Sequence, residues 1–279
     1  MQASGSPGAP QLMYRHSIAV RLTHWIGVLC IAILLMSGLQ IFNAHPALYL
    51  GQASDFAKPV LSIGAEEKNS REIGVTRIFG HDFNTTGVLG LSGEQNSDRH
   101  AFPAWATLPS YQDLAGGRRW HFFFAWLLLF NGLAYLLYSL PSGHFWRDLV
   151  PSPAQLRHIG TSITDHLRLR FPQGDEARHY NVLQRISYLL ILFVVVPLLI
   201  IAGLALSPGL DAAFPSLTDT LGGRQSARTI HFICAFLVTG FVIIHVAMVL
   251  LSGALNNLRS MITGWYAIKP EPTSHGGSN

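Results

Sequence analysis

Apolar positions gather into four runs, residues 20–42, 120–140, 182–206 and 230–251, separated by stretches that mix charge, Gly and Pro. Each run is roughly 20 to 25 residues long, and a helix of that length, at about 1.5 Å per residue, crosses a hydrocarbon layer of about 30 Å. A buried helix of a soluble domain is usually shorter. The pattern predicts an all-α membrane protein, a bundle of four transmembrane helices with tails 1–19 and 252–279 and connections 43–119, 141–181 and 207–229. The first helix is expected to stop at His45-Pro46, and Pro197 in FVVVPLLI should kink the third by removing one backbone hydrogen bond. The connection 43–119 is too long for a plain link and mixes aromatic with polar residues, so a folded cap is expected there. The tail beyond Ile268, KPEPTSHGGSN, has the composition of a disordered segment.

Composition supports the membrane reading: 49% of the 279 residues are hydrophobic and only 12% charged. The first apolar run is too long for a cleaved signal peptide and has no small-residue cleavage site at its end, which makes it an uncleaved anchor. Cys30 and Cys234 lie inside apolar runs and read as buried thiols, with no disulfide framework or Cys-ligated cluster. The net charge of +4 does not form a nucleic-acid-binding stripe. Arg147, Arg157, Arg168, Arg170 and Arg178 lie in one connection, Arg15 and Arg21 precede the first helix core, and Arg259 and Lys269 follow the last. Those regions share one side of a four-span protein, so the positive-inside rule puts both termini in the cytoplasm of a bacterial inner membrane.

Of thirteen histidines, nine lie in tails or connections, where exposure would explain them; His24, His121, His231 and His245 lie in the apolar runs. His231 and His245 are 245 − 231 = 14 positions apart, about 3.9 turns, so they share a helix face about 21 Å apart. With the N-terminus inside, His24 starts an outward helix and His121 an inward one. The depths then pair His24 with His245 on the cytoplasmic side and His121 with His231 on the periplasmic side. Zinc or copper would ask for three or four converging ligands, whereas a b-type haem needs two axial imidazoles and an apolar slot. No C-x-x-C-H is present for covalent attachment. Arg21, Arg118 and Arg228 each precede a histidine by three residues, one turn nearer the surface, where a guanidinium can pair with a haem propionate or simply snorkel to the interface.

These residues resemble the di-haem cytochrome b family that anchors bacterial nickel-iron hydrogenases, formate dehydrogenases and thiosulfate reductases. The marks are RLTHW at Arg21–Trp25, RRWHFFFAW at Arg118–Trp126, YNVLQR at Tyr180–Arg185 and the fourteen-residue histidine spacing. The resemblance implies the same histidine pairing, and a quinone pocket beside the cytoplasmic haem, where Asn181 and Gln184 would offer amides to a quinone carbonyl. A helix N-cap is the other use open to Asn181. The long connection 43–119 departs from the hydrogenase and formate dehydrogenase pattern. It is similar instead to b-type cytochromes that accompany molybdopterin oxidoreductases, including sulfite-oxidase-like ones.

The expectation is therefore an integral membrane cytochrome b with two b-type haems. It would move electrons between the quinone pool and a periplasmic redox subunit of molybdopterin oxidoreductase or nickel-iron hydrogenase type, in a direction the sequence leaves open. A histidine-relay proton channel or transporter, and a haem-free membrane anchor, are the rival classes. The first calls for acidic partners at matching depth, which the runs lack, and the second leaves four intramembrane histidines without a purpose.

Overall fold

The structure, a computed structural model, describes residues 11–157, 159–168 and 181–268. The tail 1–10, Arg170, Arg178, Tyr180, Lys269 and the expected disordered tail 269–279 lie outside the described residues. Four helices are long and apolar enough to cross a membrane: Ile18–Asn43, Leu114–Ser139, Val182–Ala205 and Arg224–Leu251. The second and fourth begin one to two turns before their apolar runs. For the second the cause is local: Asp113 Oδ1 accepts from the Gly116 amide at 2.8 Å and the Asp113 carbonyl from Gly117 at 2.9 Å, so a polar first turn is helical without being apolar. Leu137, Ile243 and Ile244 are 77%, 65% and 65% exposed, an arrangement that suits lipid and not water.

The chain divides into two units, Met1–Trp25, Leu133–Phe193 and Phe241–Asn279 forming one, and Ile26–Gly132 with Val194–Gly240 the other. In the second unit the all-α expectation is corrected. Strands β2 (Ala47–Leu48), β3 (Leu61–Lys68), β4 (Arg71–Ile78) and β5 (His81–Asn84) form an antiparallel sheet in that order. Two tight turns set its register. Asn69 and Ser70 have φ of 54° and 60°, Phe79 and Gly80 of 48° and 81°, the positive values that two-residue hairpin turns require to match strand twist. These strands are short and carry charge, so they leave no trace in a search for long apolar runs.

The sheet packs on the end of the first long helix through Phe42, Leu48, Ile63, Ala101 and Phe102, with Phe232 of the fourth helix against them. Asn43 closes the base of the cap. Its amide donates to the Phe102 carbonyl at 3.0 Å and accepts from the Phe102 amide at 2.8 Å, both bonds buried. Thr229 donates to the Tyr49 carbonyl at 2.6 Å, and Ser226 accepts from the Gly51 amide at 2.8 Å, tying the cap to the start of the fourth helix. The connection before that helix holds two short helices, Pro208–Ala213 and Pro215–Thr220.

In the first unit, β1 (Gln11–Tyr14) pairs antiparallel with β6 (Trp265–Ile268). Arg185, 6% exposed, donates to the carbonyls of Arg147 at 3.0 Å and Val150 at 2.8 Å, and so holds the turn Phe145–Leu149. Trp25 Nε1 donates to the Met261 carbonyl at 3.0 Å, which fixes the helix Ala254–Thr263. His16 corrects the expectation that histidines outside the apolar runs are exposed: it is 7% exposed. Burial, then the neighbouring Arg15 charge, push it down to about 4, so the ring is neutral at physiological pH. Near Pro197, where a kink is expected, the helix carries a π-helical turn, Ile191–Val195, just before the proline.

Replacing Asn43 by Ala strands a buried N–H and a buried C=O of Phe102. The expected cost is about 2–4 kcal/mol, read as a lower melting temperature of the detergent-solubilised protein and earlier proteolysis within residues 44–113; unchanged melting and proteolysis would mean that the clamp does not hold the cap.

Candidate functional site

The four histidines come together as two facing pairs, one in each unit. In the first unit His24 and His245 have ring centres 6.4 Å apart. Phe241 stacks on His245 with ring centres 5.8 Å apart and planes at 18°, and the Tyr188 ring stands edge-on to it at 6.4 Å. His24 Nδ1 is buried and finds no hydrogen-bond partner among the described residues. Its neighbour Trp25 stands edge-on at 5.3 Å.

In the second unit His121 and His231 have ring centres 6.1 Å apart. Here each ring is held by its outer nitrogen. His231 Nδ1 lies 2.9 Å from the Leu199 carbonyl, which can only accept, so the proton is assigned to Nδ1 and the Nε2 lone pair is left free. Gly203 permits this approach: a Cβ there would lie 3.0 Å from the His231 ring. His121 Nδ1 lies 3.1 Å from Ser37 Oγ, and a Cβ on the adjacent Gly38 would lie 3.3 Å from the same ring. Mid-helix glycine costs about 0.8–1.0 kcal/mol; at both positions the space it leaves is used by a histidine.

The spacing of the pairs tests what they could hold. An iron bound by two opposed imidazoles has nitrogens about 2 Å away on each side, which puts the two ring centres about 6.4 Å apart. Distances of 6.4 and 6.1 Å fit that requirement. No group of three or more His, Cys, Asp or Glu side chains that could hold a metal ion occurs among the described residues, and each pair offers two imidazoles. They fit a haem and not a four-coordinate ion.

The other expected residues are placed as follows. Arg21 donates to the Ile262 carbonyl, its Nε buried without a partner among the described residues. Arg118 is exposed and lies over the Phe122 ring at 5.5 Å, while Arg228 donates to the His45 carbonyl and lies over Phe42 at 5.7 Å. Asn181 is an N-cap. Its Oδ1 accepts from the Leu183 amide at 3.0 Å, and Gln184 Oε1 accepts from the Asn181 amide at 3.2 Å, a capping box. Sequence reading missed Ser37, Gly38, Gly203 and the Leu199 carbonyl. Gly38 beside Ser37, within a leucine-rich helix, was the one signal available. It also passed over His144, which lies 2.7 Å from Asp148, the carboxylate being held below its usual range by Arg147 and His144 against the opposing effect of burial.

No solved structure matches the chain. A protein of Azospira oryzae named "Putative protein-methionine-sulfoxide reductase subunit YedZ1" is 30% identical over 236 residues, 85% of this chain and 90% of that one. A family model described as prokaryotic cytochrome b561 matches residues 15–264, which takes in all four long helices and both histidine pairs. The chain belongs to the prokaryotic cytochrome b561 family.

Proposed function

We propose that this membrane cytochrome holds two b-type haems, His24 with His245 and His121 with His231, and passes electrons from membrane quinol to a reductase subunit on the periplasmic side. The observation that carries this reading is the spacing of the two imidazole pairs, each at the separation that an iron between them requires. A bis-histidine haem supplies one-electron redox chemistry within the bilayer.

The chain's own residues do the rest. Ser37 and the Leu199 carbonyl orient the rings of the second unit, Gly38 and Gly203 leave them room, and Phe241 and Tyr188 wall the pair in the first unit. Arg21, Arg118 and Arg228 supply positive charge three residues before a ligand, suited to propionate pairing. The resemblance implies a quinone pocket beside the first-unit pair, to which Asn181 and Gln184 would offer amides, on the side that the arginine distribution assigns to the cytoplasm along with both termini, in the inner membrane of a bacterium. The relative's name, a reductase subunit acting on protein methionine sulfoxide, supports electron flow outward from quinol. A molybdopterin-type partner would then reduce the sulfoxide with two electrons and two protons to the thioether and water. The cap of residues 43–119 is the segment long enough to meet such a partner.

Purified protein supplied with haem is expected to carry two non-covalent haems per chain with low-spin reduced bands, His245→Ala one, and His245→Ala with His231→Ala none; a ratio of one in the unaltered protein would break one of the pairs. For the quinone site, Asn181→Asp keeps the capping acceptor but loses the amide N–H₂. It should slow quinol-driven haem reduction roughly tenfold at unchanged haem content, whereas a normal rate in Asn181→Asp would leave Asn181 only its capping role.

A further inference from the structure

We propose that Ser37 is a positioning residue for the His121 ligand, and that through it the His121–His231 pair holds the lower-potential of the two haems; this rests on the two-haem reading above. Ser37 is fully buried, and its hydroxyl has a single proton. That proton is committed within its own helix: Ser37 Oγ lies 2.6 Å from the Ile33 carbonyl, the contact typical of a helical serine. Towards His121 Nδ1, at 3.1 Å, the oxygen can therefore only accept, so Nδ1 carries the ring proton and Nε2 presents its lone pair. Donation to Ile33 polarises the hydroxyl and strengthens it as an acceptor.

A ligating imidazole that gives its outer N–H to an acceptor is the more basic ligand and favours the more highly charged, oxidised metal. Both rings of this pair are so held, His121 by Ser37 together with the Leu34 backbone and His231 by the Leu199 carbonyl. The other pair differs: His24 Nδ1 is buried with no acceptor among the described residues, and against His245 lie the Phe241 and Tyr188 rings. The asymmetry lies in the acceptors: Ser37 and the backbone of Leu34 and Leu199 at one pair, and none for His24 Nδ1 among the described residues at the other. Of these three acceptors only Ser37 can be removed by substitution.

The test is potentiometric titration of the purified holoprotein followed by haem absorbance, with EPR of the oxidised state. Unaltered protein should titrate in two waves. Ser37→Ala should move the lower wave upward, changing the oxidised-to-reduced ratio at a fixed potential roughly tenfold, about 59 mV for one electron, and should change only one of the two low-spin EPR signals. Ser37→Thr, which keeps the hydroxyl, should titrate as the unaltered protein does. In His24→Ala/His245→Ala, the surviving wave should be the lower one and should still respond to Ser37→Ala. Waves and EPR signals unmoved by Ser37→Ala, movement of the upper wave, or a Thr variant that behaves like Ala would overturn the proposal. If Ala and Thr variants both lost one haem, position 37 would serve packing and the hydrogen-bond role would be wrong. Unaltered protein without haem would instead sink the two-haem reading itself, a separate result.

Discussion

An imidazole has two nitrogens on opposite sides of a small ring, and inside an apolar helix only one of them can face a partner across the bundle. The other must find an acceptor or be buried without one, and the surrounding structure follows from how that is met. For His231 the acceptor is a backbone carbonyl, reachable because position 203 has no side chain. His121 Nδ1 meets the hydroxyl of Ser37, which also bonds its own helix, and the Leu34 backbone. A ring tied at its outer nitrogen has a fixed tautomer and a fixed plane, which is what a metal ligand needs before any metal arrives.

The same accounting governs the backbone. In lipid, peptide groups must be satisfied within the protein, and each break in the long helices comes with a local solution. The second helix gains a polar first turn capped by Asp113, the third absorbs Pro197 by widening one turn, and its start is closed by Asn181 and Gln184. Arg185 satisfies two carbonyls at a turn that would otherwise end with them unpaired. These polar residues lie at the margins of the apolar runs, where hydropathy is silent and hydrogen bonding decides.

That division sets what could be read from sequence. The four long helices were legible because their length and composition are properties of twenty-residue windows. That His24 would face His245, and His121 face His231, was legible because helix period and alternating direction fix depth. The strands of the cap were not, since a hairpin such as Leu61–Ile78 depends on positive φ at Asn69 and Ser70 and on partners far along the chain. Ser37 and Gly203 were not either: each matters through a contact with a residue 84 or 28 positions away that no local pattern encodes. His16 looked like a tail residue because its buried position follows a strand that pairs with the far end of the described chain, its own amide donating to the Gly264 carbonyl. Asn181 was legible as a polar residue opening a helix, with capping and ligand contact both open to it.

The clamp between Asn43 and Phe102 means that the chain leaves the end of the first helix and returns to the same point 59 residues later. A segment closed at its base in this way is insulated from the helices it springs from. Closure entropy rises only slowly with loop length, so the hairpin tips can be lengthened, shortened or exchanged while the stem stays as it is. Relatives could keep the same long helices and differ in the cap alone, and the turn at Asn69-Ser70 is the natural place to graft an epitope or a reporter.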